Sequence, residues 1–584
     1  MIPESSLSEF ITKNRGLDLQ DSYKEIKIAI LGSFTLNGLE EVLRVKCSQI
    51  KINAKVYSAP YNQFNQEILN KNGYLYEFKP DITFLILDTR SIIGELFFSP
   101  YVTNKNERKT SINNKLAELS NLVKTFTKNL NSKLVITNLN IPSYSPYGIC
   151  ETKTEYGLQQ MIYDFNQKLS EISSENTSLY IYDYNGFVNR YGERNIFDFR
   201  QYFSGDIKIS FDYIPYLGHD FMGYVKAVLG MNRKCIVLDL DNTLWGGVIG
   251  EDDINGIKLC LTGSGSAYYE FQKYLLSLQQ RGIILAINSK NNSDDALEVI
   301  RNHPYMILKE QHFACQKINW NDKISNMKEI AHELNIGLDS LVFFDDDPVN
   351  RELMKKMLPE VLTVDLSADP ANFISSLIAL NEFNVLSITE EDVKRGTMYY
   401  QQKQRKEFEN TANLDDFLTQ LDIKVKILRV NEFTIPRISQ LTLKTNQFNL
   451  TTKRYQEEDI RRFSSTDTML VGCVQVEDKF GDSGLTGVFI ISKEHQDIWY
   501  IDTFLLSCRI MGRGIENAIL SYIISEAKKR NVKKILAQYI PTTKNIPSEK
   551  FLESAGFEQE GDYWVFDTNK QFKTPSHTTI LYSG

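Results

Sequence analysis

The chain has 584 residues, which at roughly 150 residues per domain suggests three or four domains and rules out one compact core. Lys+Arg 66 against Asp+Glu 74 gives a net charge of -8, with 42% hydrophobic and 24% charged residues. That is an ordinary globular composition and excludes the basic balance of a nucleic-acid-binding protein.

The N-terminus, MIPESSLSEFITKN, lacks a basic segment followed by an apolar core, and no apolar run approaches the ~20 residues that span a bilayer. A soluble cytoplasmic protein is expected, without membrane or nucleic-acid partners. Over 1–230, buried strands are predicted at Ile26 to Leu31, Ile82 to Leu87, Leu134 to Thr137 and Leu179 to Tyr182, with helical stretches between them, so a parallel α/β sheet follows. A second α/β unit, 231–383, carries buried strands at Cys235 to Leu238, Ile283 to Ile287 and Leu341 to Phe344. The charged stretch 384–420 reads as a helical connector. The remainder, 421–584, is a mixed α+β domain with strands at Met469 to Val476, Leu485 to Ser492, Trp499 to Ile501 and Lys534 to Ala537, and a long helix at Ile515 to Arg530.

The middle unit carries the clearest chemistry. Its first strand ends in Asp239-Leu-Asp241-Asn-Thr243, its second in Asn288-Ser289-Lys290-Asn291, its last in Asp345-Asp346-Asp347, and in a parallel sheet these ends converge on one crevice. An aspartate there can form an acyl phosphate that splits a hard displacement into two easier ones, so Asp239 is the predicted nucleophile and Asp241 the general acid and base. With six histidines and none in an H-E-x-x-H or H-x-E arrangement, a metal is expected on carboxylates, which points to magnesium. Asp239, the Asp241 carbonyl and Asp345 would hold it, with Asp346 orienting Lys323 or supporting the metal from outside. Ser289, Lys290 and Lys323 are predicted to bind the phosphoryl oxygens, although Ser289 could equally cap the helix that follows. Fifty residues separate Asp239 from Ser289 and thirty-four separate Ser289 from Lys323, too few for a large cap domain, so an open cleft is expected. Trp245-Gly-Gly247, with Gly256, reads as a short β-hairpin flap.

Strand-DxDxT, strand-Ser, Lys and strand-DD resemble, in order, the four motifs of the haloacid dehalogenase phosphatases. LDLDNTLWGGVIGED, NSKNN and FFDDDPVNRE look like the FkbH subfamily over about 231 to 380. Asp345-Asp-Asp-Pro348 stands where relatives read D-D-N-P, leaving open which acid beside Asp345 reaches the metal. The resemblance implies a Rossmann-like phosphatase domain, flanked by an N-terminal SGNH-hydrolase-like α/β domain and a C-terminal GNAT-like α+β domain.

In the last domain Arg509-Ile-Met-Gly512-Arg-Gly514 precedes the helix and resembles the GNAT turn whose N-H groups cradle a pyrophosphate, so Arg509, Gly512 and Gly514 are expected to bind CoA or a carrier's phosphopantetheine. The seven cysteines (47, 150, 235, 260, 315, 473 and 508) form no C-x-x-C pair and leave an odd count, so neither a disulfide framework nor a zinc ribbon is expected. Cys508, beside Arg509 and near a helix N-terminus, is the best-placed thiol for a thioester, with a small buried strand-end residue as the alternative. In the first domain, Ser33 and His219 could form a hydrolase pair, but no Gly-Asp-Ser block or oxyanion residue accompanies them; carrier or domain docking is the better expectation. FkbH-like proteins imply removal of phosphate from a phosphorylated small molecule, 1,3-bisphosphoglycerate, and loading of the glyceryl unit on an acyl carrier protein. The alternatives are a phosphatase fused to an independent acetyl-CoA-dependent N-acyltransferase, and a non-catalytic carrier-binding scaffold.

Overall fold

The computed structural model describes residues 5–17, 23–395, 398–399, 401–402, 405, 418–542 and 544–582, and the side chain of Cys508 lies outside the described set. Much of the predicted 384–420 connector also lies outside it. The chain divides into two compact units, one up to Val228 and one from Leu229 on. Among the described residues no helix is long and apolar enough to cross a membrane.

The first unit is built on five parallel strands, β1 (Lys24–Gly32), β2 (Ile52–Ser58), β3 (Ile82–Ile86), β4 (Lys133–Thr137) and β5 (Leu179–Tyr182), ordered β2-β1-β3-β4-β5. β3 and β4 are buried at every position, as strands covered on both faces must be. Helices Lys105–Asn129, opened by an Asn104/Glu107 capping box, and Leu158–Ser174 supply Phe126, Met161 and Phe165 to one face of the core. β2 was not among the predicted strands. Its sequence INAKVYS alternates buried with solvated positions, as befits a sheet edge, and so lacks the continuous apolar run that marked the others.

The second unit contains two sheets. The first has parallel strands β6 (Cys235–Leu238), β7 (Ile284–Ser289), β8 (Phe313–Ile318), β9 (Leu341–Phe344) and β10 (Leu362–Thr363), ordered β10-β9-β6-β7-β8. β6 is central and wholly buried, with Phe271, Phe344 and Phe373 packed on one face and Met327, Ile330 and Met354 on the other. Leu238 lies level with Ile287 of β7 and Phe344 of β9, so the residues that follow, Asp239, Asn288-Ser289 and Asp345, emerge together at the carboxyl edge.

The other sheet is formed by β11 (Ile423–Arg429), β12 (Phe448–Asn449), β13 (Met469–Asp478), β14 (Gly481–Ser492), β15 (Ile498–Leu506), β16 (Lys534–Ala537), β17 (Glu558–Glu560), β18 (Tyr563–Asp567) and β19 (Thr578–Tyr582). Its order is β17-β18-β16-β15-β14-β13-β11-β19, with β12 paired to β15. Helix Ile515–Lys529 buries Ile515, Ile519 and Ile523 against one face, and helix Ile435–Lys444 buries Ile435, Ile438 and Leu441 against the other.

The two sheets meet at the amino edge of the β6–β10 sheet. Arg395 Nη1 donates to the Gly282 carbonyl at 2.7 Å and pairs with Asp392, which accepts from Gln440 Nε2 of the C-terminal domain at 2.7 Å. Gly282, at φ +100°, passes so close that a Cβ would lie 2.2 Å from the Asp392 carbonyl oxygen, so only glycine fits. Lys544 pairs with Asp339 just before β9. Against the effect of burial, Arg395 and Lys444 hold the Asp392 carboxyl well below its usual range.

Candidate active site

Asp239 leaves β6 with its N-H bonded to the Phe344 carbonyl at 2.9 Å, which fixes the first carboxylate beside β9. Asp345 is fully buried, and its Oδ1 accepts from the N-H of Asp347 at 2.9 Å. Lys323 is the first residue of helix Lys323–Glu333, which Asp322 caps. Its ammonium lies 2.7 Å from Asp239 Oδ2 and 2.6 Å from Asp345 Oδ2. Two buried carboxylates thus converge on one buried cation. Burial works to deprotonate Lys323, but Asp239 and Asp345 outweigh it and push its pKa up.

A third acid joins them. One carboxylate oxygen from each of Asp239, Asp345 and Asp346 lies within 4.8 Å of the other two. Burial, reinforced by Asp239 and Asp345, pushes Asp346 up to about 6. Burial and Asp239 likewise push up Asp345, against the pull of Lys323. Three carboxylates facing one ammonium leave an excess of negative charge, and a hard cation with oxygen ligands is the species that suits it. The run of three acids is divided by role. The Asp347 carboxylate accepts from the Val349 N-H and caps helix Pro348–Met357, which leaves Asp346 as the one that faces the cluster.

Asp241 is held differently. Its Oδ1 accepts from Trp245 Nε1 at 2.9 Å and from the Ile249 N-H at 3.2 Å, and its Oδ2 from Asn291 Nδ2 at 3.0 Å. Burial raises its pKa despite these donors. A partly exposed carboxyl with a raised pKa, fixed two residues from Asp239, is suited to give and take a proton. Its carboxylate is engaged away from the three-acid cluster, so any part in metal binding would fall to its main-chain carbonyl.

Ser289 is buried, and its Oγ accepts from Asn291 Nδ2 at 3.2 Å. It is not a helix cap, since Asn292 caps the following helix. Asn288 Nδ2 donates to the Lys323 carbonyl at 2.9 Å and Asn326 Nδ2 donates to Asn288 Oδ1 at 3.2 Å, a buried link that ties β7 to the helix bearing the lysine. Lys290 is exposed and makes no hydrogen bond or ion pair among the described residues. The positioning roles of Trp245, Asn291, Asn288 and Asn326 were not read from the sequence. Asn291, two residues beyond Ser289, carried a spacing that could have revealed it. The predicted β-hairpin flap is replaced by a single Gly246–Lys258 bridge closing around helix Ile249–Gly256, whose acidic sequence favours a first helical turn. At the same sheet edge Trp320 and Val349 are 74% and 71% exposed, leaving apolar surface on the rim.

In the C-terminal domain Gly512 and Gly514 adopt φ +77° and +72°, the left-handed conformation that the turn into helix Ile515–Lys529 requires. Arg509 Nε donates to Ser507 Oγ at 3.4 Å. The buried Glu516 carboxyl, its pKa raised by burial, lies against the N-H groups of Gly514 and Glu516, the positive pole an incoming pyrophosphate would use. The backbone of Cys508 opens the short 3-10 turn Cys508–Ile510. Cys235 is wholly buried, and burial pushes its thiol well above the ordinary range. In the first unit Ser33 is buried and its Oγ accepts from the Asp88 N-H at 2.9 Å, with Lys208 3.6 Å from Asp88; His219 lies on helix Ile214–Val228.

The family described as "FkbH, N-terminal domain" matches residues 27–226. Among solved structures, the N-terminal part of protein BF1531 from Bacteroides fragilis, containing a phosphatase domain complexed with Mg, is 28% identical. The match covers 66% of this chain and 100% of that one, with a TM-score of 0.61. The ribosomal-protein-S18-alanine N-acetyltransferase of Escherichia coli matches 24% of this chain and 90% of its own, at 15% identity and a TM-score of 0.19. Spermidine N-acetyltransferase from Vibrio cholerae matches 25% and 96%, at 12% identity and a TM-score of 0.20. Overlaps that slight do not define the C-terminal fold, which is described above by its own strand order. No curated protein matches the chain. The first two findings support an FkbH-like arrangement, an N-terminal α/β domain followed by a haloacid dehalogenase-like phosphatase domain.

Proposed function

We propose that the chain is an FkbH-like, Mg-dependent phosphatase and acyltransferase. On this reading it removes phosphate from an acyl phosphate of the phosphoglycerate type, 1,3-bisphosphoglycerate by resemblance, and places the glyceryl unit on an acyl carrier protein. The observation that carries the proposal is the convergence of Asp239, Asp345 and Asp346 within 4.8 Å beside the Lys323 ammonium. The donor set fits magnesium, being all oxygen and in excess of the local positive charge. Bound there, the ion would screen the repulsion between the carboxylates and an incoming phosphate.

The chain's own groups divide the rest of the work. Asp239 attacks the phosphorus of the phosphate ester and becomes an aspartyl phosphate as the ester oxygen leaves, while the acyl phosphate is spent at its carbonyl carbon, where the Cys508 thiolate displaces phosphate to form the thioester that the carrier thiol then takes over. Asp241 gives the ester oxygen its proton and later withdraws one from water, whose attack releases inorganic phosphate and regenerates Asp239. Lys323 and Ser289 hold phosphoryl oxygens, and Asn291 keeps Ser289 and Asp241 in register. The exposed rim at Trp320 and Val349 suits an acceptor or carrier too large to enter the cleft. In the C-terminal domain, Cys508 is the proposed thioester site and the Arg509–Gly514 turn the proposed neighbour of a phosphopantetheine or CoA thiol.

Incubation with 1,3-bisphosphoglycerate, Mg2+ and a holo carrier protein, followed by intact-mass analysis, is expected to add a glyceryl unit to the carrier and to release phosphate. EDTA should stop both and fresh Mg2+ restore them. Cys508→Ala should remove any enzyme-bound adduct while phosphate release continues. Phosphate release with no adduct on any carrier would leave a plain phosphatase joined to a separate acyltransferase. That second reading is favoured by the docking of the C-terminal domain at the sheet edge opposite the carboxylates.

A further inference from the structure

The three acids of the candidate cation site are not held alike. Asp239 and Asp345 share the Lys323 ammonium at 2.7 and 2.6 Å, and Asp345 also accepts from the Asp347 N-H at 2.9 Å and from Asn350 Nδ2 at 3.4 Å. Asp346 has little of this. Among the described residues, the one other residue that donates to its carboxylate is the buried Thr243, whose Oγ1 lies 3.5 Å away, well beyond the ~2.8 Å of a strong hydroxyl bond. Such a contact does not explain why Asp346 faces Asp239 and Asp345 when Asp347, the next acid, turns away to cap its helix.

What fixes Asp346 is its backbone. Arg351, half-buried on the first turn of helix Pro348–Met357, reaches back so that its Nη1 donates to the Asp345 carbonyl at 2.8 Å and to the Asp346 carbonyl at 2.6 Å. Those carbonyls belong to the two peptide groups that flank the Asp346 α-carbon. Because each peptide group is planar, holding both fixes the φ and ψ of Asp346, and with them the direction of its Cα–Cβ bond. The helix steadies the clamp in turn, since the Arg351 N-H donates to the Asp347 carbonyl at 3.2 Å and the Asp347 carboxylate accepts from the Val349 N-H at 2.9 Å.

We infer that Arg351 is a positioning residue for the cation site: by clamping the carbonyls of Asp345 and Asp346 it aims the Asp346 carboxylate at Asp239 and Asp345, and so sets the affinity for Mg2+. This role presupposes the metal reading proposed above and adds a residue outside the donor set. Charge alone would act with the opposite sign. A guanidinium hydrogen-bonded to the backbone of two of the acids repels a second cation, so were charge its main effect, removing it would tighten Mg2+ binding. Loss of aim weakens binding instead, and partners that orient metal ligands contribute about 10- to 100-fold in affinity.

The test is titration calorimetry of Mg2+ into the full-length protein after EDTA treatment and dialysis, with a thermal melt of each variant to check its fold. Arg351→Met should raise the Kd for Mg2+ at least about tenfold. Arg351→Gln, too short to hold both carbonyls, should match it and stands in for it if the apolar side chain impairs folding. Arg351→Lys should restore most of the affinity, since one nitrogen serves both carbonyls and an ammonium has a donor for each. Asp346→Asn should also weaken Mg2+ binding, and adding Arg351→Met to it should change the Kd by less than about twofold, because the clamp then has no carboxylate to aim. Unchanged or tighter Mg2+ binding by folded Arg351→Met and Arg351→Gln would overturn the inference, as would full additivity with Asp346→Asn. Wild-type protein that binds no Mg2+ would remove the metal reading as well, which distinguishes that failure from the failure of Arg351's role alone.

Discussion

Replacing Asp239 with asparagine is expected to lower phosphate release by at least about 10^4-fold, because an amide cannot displace the leaving oxygen and no neighbouring group can take its place. Asp241 is fixed by Trp245, Ile249 and Asn291, and Asp345 is fully buried behind Lys323. The fold should survive, since asparagine keeps the shape of the side chain and Lys323 retains its 2.6 Å contact with Asp345. Steady-state phosphate release beside a thermal melt checks both halves. A melting temperature near wild type with turnover within tenfold of wild type would remove Asp239 from the nucleophile role.

Lys323→Met is expected to have the second large effect, on stability as well as rate. It deletes the one ammonium that contacts both Asp239 and Asp345, and breaking a buried pair from one side costs about 3–5 kcal/mol. In EDTA the melting temperature should fall by at least about 5 °C. Mg2+ should then stabilise the variant more than it stabilises wild type, since added cation offsets a larger unbalanced charge. Turnover should fall by roughly 10^2 to 10^3-fold with the loss of a phosphoryl-binding cation. Equal melting temperatures for variant and wild type in EDTA would mean that the carboxylates do not rely on Lys323.

How much of this was legible in the sequence depended on burial. Strands covered on both faces, such as β3, β4, β6 and β9, are continuous apolar runs and were found. Strands without a continuous apolar run were missed, among them β2, written INAKVYS, β8, written FACQKI, and β11, written IKVKILR, in which apolar and polar residues are interleaved. The carboxylates were visible because each ends a buried strand and register then gathers them. What surrounds them was not. Asn288 contacts Lys323 and Asn326 across more than thirty residues, and Trp245 reaches Asp241 through a turn whose helix replaces the expected hairpin. The asparagine contacts follow from packing and no local spacing encodes them, while the Trp245 contact spans only four residues but depends on the turn between them. The three consecutive acids were separable only once Asp347 was seen to cap its helix.

The placement of the C-terminal domain at the amino edge bears on how intermediates would travel. β6 is four residues long, about 13 Å of strand, and the carboxylates stand at its far end from the docked domain. A product formed at the carboxylates therefore opens away from the second domain, with the sheet itself as a partition. If the two domains serve one reaction sequence, as proposed, the described residues show no passage through the sheet, and on that proposal the acyl group travels through solvent on the carrier's flexible arm. Flux would then scale with the concentration of free carrier, and a scavenger in solution could intercept the cargo in transit.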